Sequence, residues 1–242
     1  MHRTLSLAIC LAACLAFLTA PAAAQTAGDN PQLIDAIEKA RTSLDVDALN
    51  HAHDLAAAET QQHPNDARAF YLLGRVNAYR SDAYMNKGDK KNAEHALDDA
   101  IAAALQSQKL DDKSADTHSL LADCYGRKIG VGSPMFAGPK YGPKCAAENQ
   151  RALELDPNNA RAHASQGRQF LQAPKMFGGD VDKAIASFRK SLELDPKSDE
   201  TYVWLAMALR KKGDTAGADQ ALQQALQLNP QSAFAKKAQA QK

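Results

Sequence analysis

Apolar residues return along this chain at the three-and-four spacing of helix faces, in stretches separated by short polar turns. Between Asp199 and Ser232, Tyr202, Leu205 and Leu209 mark one face, and Leu222 and Leu226 mark another after Gly213-Asp214. The pattern predicts two amphipathic helices in a hairpin, with Ala206, Ala218 and Ala225 small enough for close approach. The ends of such stretches are spelled nearly alike. Glu154-Leu155-Asp156-Pro157 returns as Glu193-Leu194-Asp195-Pro196 and, altered, as Gln227-Leu228-Asn229-Pro230, with the prolines 39 and 34 residues apart. Proline has no N–H to continue a helix and disfavours helical geometry in the residue before it, so each copy ends one. A repeat of this length and form marks a stacked array of helical hairpins.

The chain resembles the tetratricopeptide repeat (TPR) family, and its last copy carries the resemblance at full length. Tyr202 and Leu205-Ala206 stand on the first helix, Gly213-Asp214 at the turn, Ala218, Leu222 and Ala225 on the second helix, and Pro230 after it. The copy over 160–198 has Gly167, Phe170, Gly179-Asp180, Ala184, Phe188, Leu192 and Pro196, with extra residues before its turn. The copy over 115–159 has Leu120-Leu121-Ala122, Tyr125, Cys145, Ala152 and Pro157. Its excess is the Gly- and Pro-rich stretch 129–144, which reads as a lengthened loop between helices. The copy over 67–114 has Leu73-Gly74, Gly88-Asp89 and Ala93, and is longer on both sides of its turn, which predicts a longer hairpin. The copy over 31–66 is degenerate, and 233–242 reads as a short end helix. The resemblance implies an all-α fold, a right-handed superhelix (α-solenoid) of about five antiparallel helix hairpins.

The first 24 residues read differently. His2 and Arg3 precede an apolar run from Leu5 to Leu18, and Ala22-Ala23-Ala24 offers a cleavage site before Gln25. This predicts a signal peptide and a periplasmic or secreted protein. The competing reading is a lipobox, Leu11-Ala12-Ala13-Cys14, which would lipidate Cys14 and only then tie the protein to a membrane. Beyond the leader, the 29 Lys+Arg less Arg3 balance the 28 Asp+Glu. The balance is uneven along the chain: acids dominate 25–112 and bases 113–242, which predicts a dipole along the solenoid, read either as two solvated faces or as an attraction for an acidic partner. Interleaved acids and export exclude nucleic acid as the expected partner.

Candidate chemistry is sparse. Cys124 and Cys145 share one repeat, and export permits a disulfide between them; two buried free thiols are the other reading. Pro134-Met135-Phe136-Ala137-Gly138 is echoed by Pro174-Lys175-Met176-Phe177-Gly178-Gly179, each between the helices of its hairpin. Stacking should bring the two segments to one edge, where they either cap their own repeats or present an apolar patch to a partner. The second segment also looks like a variant found in bacterial envelope members of the TPR family. The family resemblance further implies a concave groove lined from the first helices by Tyr71 and Arg75, Ser119 and Asp123, Ala164 and Arg168, and Val203 and Met207. Arg75 and Arg168 could hold an acidic group by forked hydrogen bonds, or be spent on Asp123. The Lys/Asn set by which family members clamp a peptide carboxylate is not matched.

His51 and His53 lack a third metal ligand nearby, and His118 and His163 stand where the family packs an aromatic. Gly130-Val131-Gly132 lacks the third glycine of a dinucleotide loop, and no serine sits in a nucleophile elbow. The expectation is therefore a binding protein with neither cofactor nor catalysis. Its partner would be a protein or peptide of the cell envelope, held by the groove and the apolar inter-helix segments. The alternative is a small-ligand-binding component of an envelope transport system, with the long second hairpin and the lengthened loops enclosing a pocket.

Overall fold

The computed structural model describes residues 30–132 and 134–240; the expected signal peptide and lipobox lie outside them. Among the described residues there are eleven α-helices and no strand. They are α1 (Pro31–Ser43), α2 (Val46–Gln62), α3 (Ala67–Asn86), α4 (Lys90–Leu110), α5 (Ala115–Val131), α6 (Pro134–Leu155), α7 (Ala160–Gln172), α8 (Val181–Leu194), α9 (Asp199–Lys212), α10 (Thr215–Leu228) and α11 (Ala233–Ala240). Consecutive pairs form five hairpins, and α11 packs on α9 and α10 as the start of another. None of these helices is long and apolar enough to cross a membrane.

The recurring Asp-Pro line stops one helix and starts the next within four residues. Asp156, Asp195 and Asn229 each accept, through a side-chain oxygen, the N–H two residues on, which fixes an Asx turn. Asn159, Ser198 and Ser232 then accept the N–H three residues further along and cap the new helix. The same turn recurs without proline at Asp111 and Ser114. Inside the last hairpin, Gly213 ends α9 at φ 94°, a left-handed conformation that glycine adopts without a Cβ penalty.

The expected long hairpin is present as α3 and α4, of 20 and 21 residues. The expected loop over 129–144 is not. α5 continues to Val131, and α6 begins at Pro134 and runs through Pro139 and Pro143. Both prolines are exposed and stand in the N-terminal half of α6. The opposite face holds the helix in place. Tyr141, Cys145 and Asn149 recur every four residues; Tyr141 stacks on Tyr125, and Asn149 donates to Gln169 at 2.8 Å. The second insertion is a single 3₁₀ turn, Lys175–Phe177, ended by Gly178 at φ 87°.

Two apolar clusters form the core. One joins α1 to α6 around Leu49, Leu72, Val76 and Leu121, and the other joins α7 to α11 around Phe188, Val203 and Leu222. The uneven charge does not stay spread along the array. Lys128 reaches Asp98 at 2.6 Å and Glu94 at 3.5 Å, and Arg127 meets Asp82. Basic side chains of α5 thus meet acidic ones of α3 and α4, and part of the expected dipole is neutralised at that boundary.

Candidate functional site

The odd-numbered helices form the inner wall of the solenoid, and they run in the same direction. At one edge Lys211 Nζ donates to the Leu171 carbonyl at 2.7 Å, and Arg210 Nη1 to the Ala238 carbonyl at 2.7 Å, so the C-terminal ends of α7, α9 and α11 stand together. The wall then curves until its ends meet. Arg41 of α1 donates through Nη1 to Asp199 of α9 at 3.1 Å, across 158 residues of chain. Halfway round, Arg161 of α7 donates to the Tyr71 hydroxyl of α3 at 2.8 Å. The concave face is a lumen bridged by side chains.

A belt of three guanidiniums and three carboxylates crosses this lumen. Arg168 holds Asp123 at 2.8 Å and lies 3.8 Å from Glu200. Arg127 holds Asp123 at 2.8 Å and lies 4.0 Å from Glu200, and Arg41 binds Asp199. Burial alone would push the Asp123 carboxyl up, but Arg127 and Arg168 together outweigh it and hold the group below the usual carboxylate range. Two further carboxylates border the belt, Asp82 on Arg127 and Glu38 on Arg41 at 2.9 Å. One donor in it is unspent: Arg168 Nε is buried and has no hydrogen-bond partner among the described residues.

The belt separates two chambers. Toward the edge where the odd helices end lies a cavity of about 450 Å³ with mostly apolar walls: Leu44, Met85, Val131, Trp204, Met207 and Phe234. Trp204, the chain's one tryptophan, packs against Phe234 with ring centroids 5.2 Å apart, and the Arg168 guanidinium lies 5.9 Å from its ring. On the other side lies a polar cavity of about 330 Å³ bounded by Arg75, Asp116, Ser119, Arg161, Asp195 and Lys197.

The groove expected from the sequence is this lumen in part. Tyr71, Arg75, Ser119, Asp123, Ala164, Arg168 and Met207 all line it, whereas Val203 is buried in the core behind it. Tyr71 is a wall element rather than an exposed contact. Its ring is buried, with the guanidiniums of Arg68 and Arg75 at 4.7 and 5.9 Å, and burial raises its hydroxyl pKa. The two arginines are not free to fork onto an acidic group: Arg75 is taken by Glu38 at 2.6 Å and Arg168 by Asp123. Arg41, Tyr79, Arg127, Asp199, Glu200 and Trp204 join the lumen without being marked by the repeat pattern. Tyr79 and Arg127 do carry a signal, since each stands four residues beyond Arg75 and Asp123 on the same helix face.

Met135, Phe136, Met176 and Phe177 lie outside the lumen walls. They do not tuck onto their repeats: their exposures are 77, 77, 82 and 68%. Cys124 and Cys145 are buried free thiols in this structure, and burial pushes the Cys145 thiol up to about 12. The histidines also have structural partners. His53 Nδ1 meets Asn77 Oδ1 at 2.9 Å, His118 pairs with Glu148, and His163 Nε2 meets the Pro157 carbonyl at 2.9 Å.

Comparison with known proteins adds a family. The sequence model of the family described as TRAP transporter T-component (TAtT) matches residues 43–239. No curated protein matches the chain. Among solved structures, TTC0263, a thermophilic TPR protein of Thermus thermophilus, superposes with a TM-score of 0.62 at 17% identity, covering 86% of this chain and 97% of its own. YrrB, a TPR protein described as having an unusual peptide-binding site, gives 0.42 at 17% identity, with 88% and 93% covered. MamA gives 0.41 at 22% identity, with 82% and 90% covered. The fold is a TPR solenoid.

Proposed function

The chain belongs to the TRAP transporter T-component family, and we propose that it serves as the small-ligand-binding component of a transport system in the cell envelope. The observation that carries this reading is the bridged lumen. An extended peptide needs an open concave face, and here that face is spanned by the contact between Arg41 and Asp199. What remains is a chamber of about 450 Å³, within the range of roughly 300–1,000 Å³ usual for small-molecule sites. Its apolar walls suit an apolar body. Arg168, whose guanidinium lies 5.9 Å from the Trp204 ring, adds a polar group to the chamber wall. The paired belt charges favour binding over chemistry, because each carboxylate is already engaged by a guanidinium. Placement outside the cytoplasm is part of the proposal and rests on the leader pattern of residues 1–24. A TPR scaffold that also meets protein partners would do so on its outer edges.

The test is native mass spectrometry of the protein purified gently from its own host, beside a Gly126→Leu variant. Gly126 lines the apolar chamber, and a Cβ there meets only Cys145 Sγ, at 3.9 Å. Leucine would intrude on the chamber and favour the helix by about 1 kcal/mol. The reading expects a bound small molecule on the native chain and none on the variant. Equal adducts on both, or none on either, would count against it.

A further inference from the structure

We propose that the edge bearing Met135, Phe136, Met176 and Phe177 docks on the surface of an anionic lipid bilayer. The inference goes beyond the chamber reading and does not depend on which ligand the chamber takes. Its first ground is exposure. These four side chains are 68–82% exposed and project from two tips, the first turn of α6 and the 3₁₀ turn 175–177. Large apolar groups on separate protruding tips suit a deformable medium that can close around each, whereas a protein partner needs a continuous matched surface. The two tips share an edge, since they follow α5 and α7, whose terminal Val131 and Gln172 line the same cavity.

The second ground is charge. No Asp or Glu occurs in residues 124–147 or 157–179, the two stretches that contain the tips. Lys140 and Lys144, one and two turns beyond Phe136, are exposed, as is Lys175 beside Met176. Among the described residues none of the three is paired with a carboxylate; Lys140 and Lys144 lie over the rings of Tyr141 and Tyr125 at 4.9 and 5.6 Å. Apolar tips ringed by unpaired lysines are complementary to a layer of acyl chains beneath anionic phosphates.

The experiment is co-sedimentation with vesicles of phosphatidylglycerol and phosphatidylethanolamine, against phosphatidylcholine alone. The protein is the chain recovered from its host in a Cys14→Ser background, so that no lipid can be attached there. Binding should favour the anionic vesicles, weaken with salt, and fall about tenfold in Phe136→Ser plus Phe177→Ser. Lys140→Gln plus Lys175→Gln should remove the preference for anionic vesicles while leaving helical content unchanged. A second readout does not depend on affinity. With Trp204→Phe and Phe136→Trp, the sole tryptophan should be quenched by lipids brominated in their acyl chains. Binding unaffected by both double variants, or fluorescence of the relocated tryptophan that is blind to bromine, would overturn the proposal. So would self-association without lipid that the phenylalanine substitutions abolish, because the edge would then be a contact between copies.

Discussion

Arg41 and Asp199 stand 158 residues apart in the chain and 3.1 Å apart in space. Asp199 is buried, and its other oxygen accepts from Asn229 Nδ2 at 2.7 Å, so the contact ties α1 to the turn that follows α10. Breaking it leaves a buried carboxylate short of a partner. Arg41→Met should therefore destabilise by about 2–4 kcal/mol, and adding Asp199→Asn should recover part of that loss. Urea denaturation of the two single variants and the double one measures the coupling. A coupling near zero would mean that the bridge contributes nothing to closure.

The helix caps should act locally. Asn159→Ala and Ser198→Ala each remove an oxygen that accepts the N–H of the third residue of its helix, and Asn159→Ala also removes the amide that donates to Asp116 at 2.9 Å. Each should cost about 1 kcal/mol, and the pair about 2 kcal/mol, in denaturant unfolding.

These turns are legible in the sequence because everything that makes them lies within four residues. Asp156-Pro157 and Asn159 carry both the stop and the start. The helix over 134–155 is not legible, for the opposite reason. Gly138, Pro139, Gly142 and Pro143 are local signals of a loop, and the contacts that override them, Tyr141 on Tyr125 and Asn149 on Gln169, come from other helices. The lumen divides in the same way. Arg75, Asp123 and Arg168 follow from the family resemblance, whereas the meeting of Arg41 with Asp199 depends on the accumulated curvature of four hairpins.

Gly167 marks a tight approach between the two helices of its hairpin. A Cβ there would fall 2.6 Å from Phe188 Cε1, inside contact distance of a ring with no exposure. Alanine gains about 1 kcal/mol in helix propensity, but overpacking costs about 1–3 kcal/mol, so Gly167→Ala should be net destabilising. Phe188→Leu in the same background should cost less than the sum of the two single changes, as read by thermal unfolding.

The pH response should carry a component from His118. His118 Nδ1 lies 2.5 Å from Glu148 Oε2, and this hydrogen bond raises the imidazole pKa, partly opposed by burial and aided by the Asp112 carbonyl. A histidine whose folded pKa exceeds its unfolded value of about 6.5 adds stability that is complete below that value. The contribution is lost as pH rises through the folded pKa. Wild type should thus lose stability from slightly acid to alkaline pH more steeply than His118→Gln, measured by urea midpoints across that range. Parallel profiles would remove His118 from the account.

The central claim is that the lumen of this solenoid is a ligand chamber, and Trp204 in its wall allows a direct reading. The measurement is energy transfer from Trp204 to anilinonaphthalene sulfonate, a small amphipathic anion, titrated into native protein and into Gly126→Leu. The account predicts saturable one-to-one transfer in the native chain, lost in a Gly126→Leu protein that is as stable or more so. Transfer that survives unchanged in the narrowed chamber would contradict it.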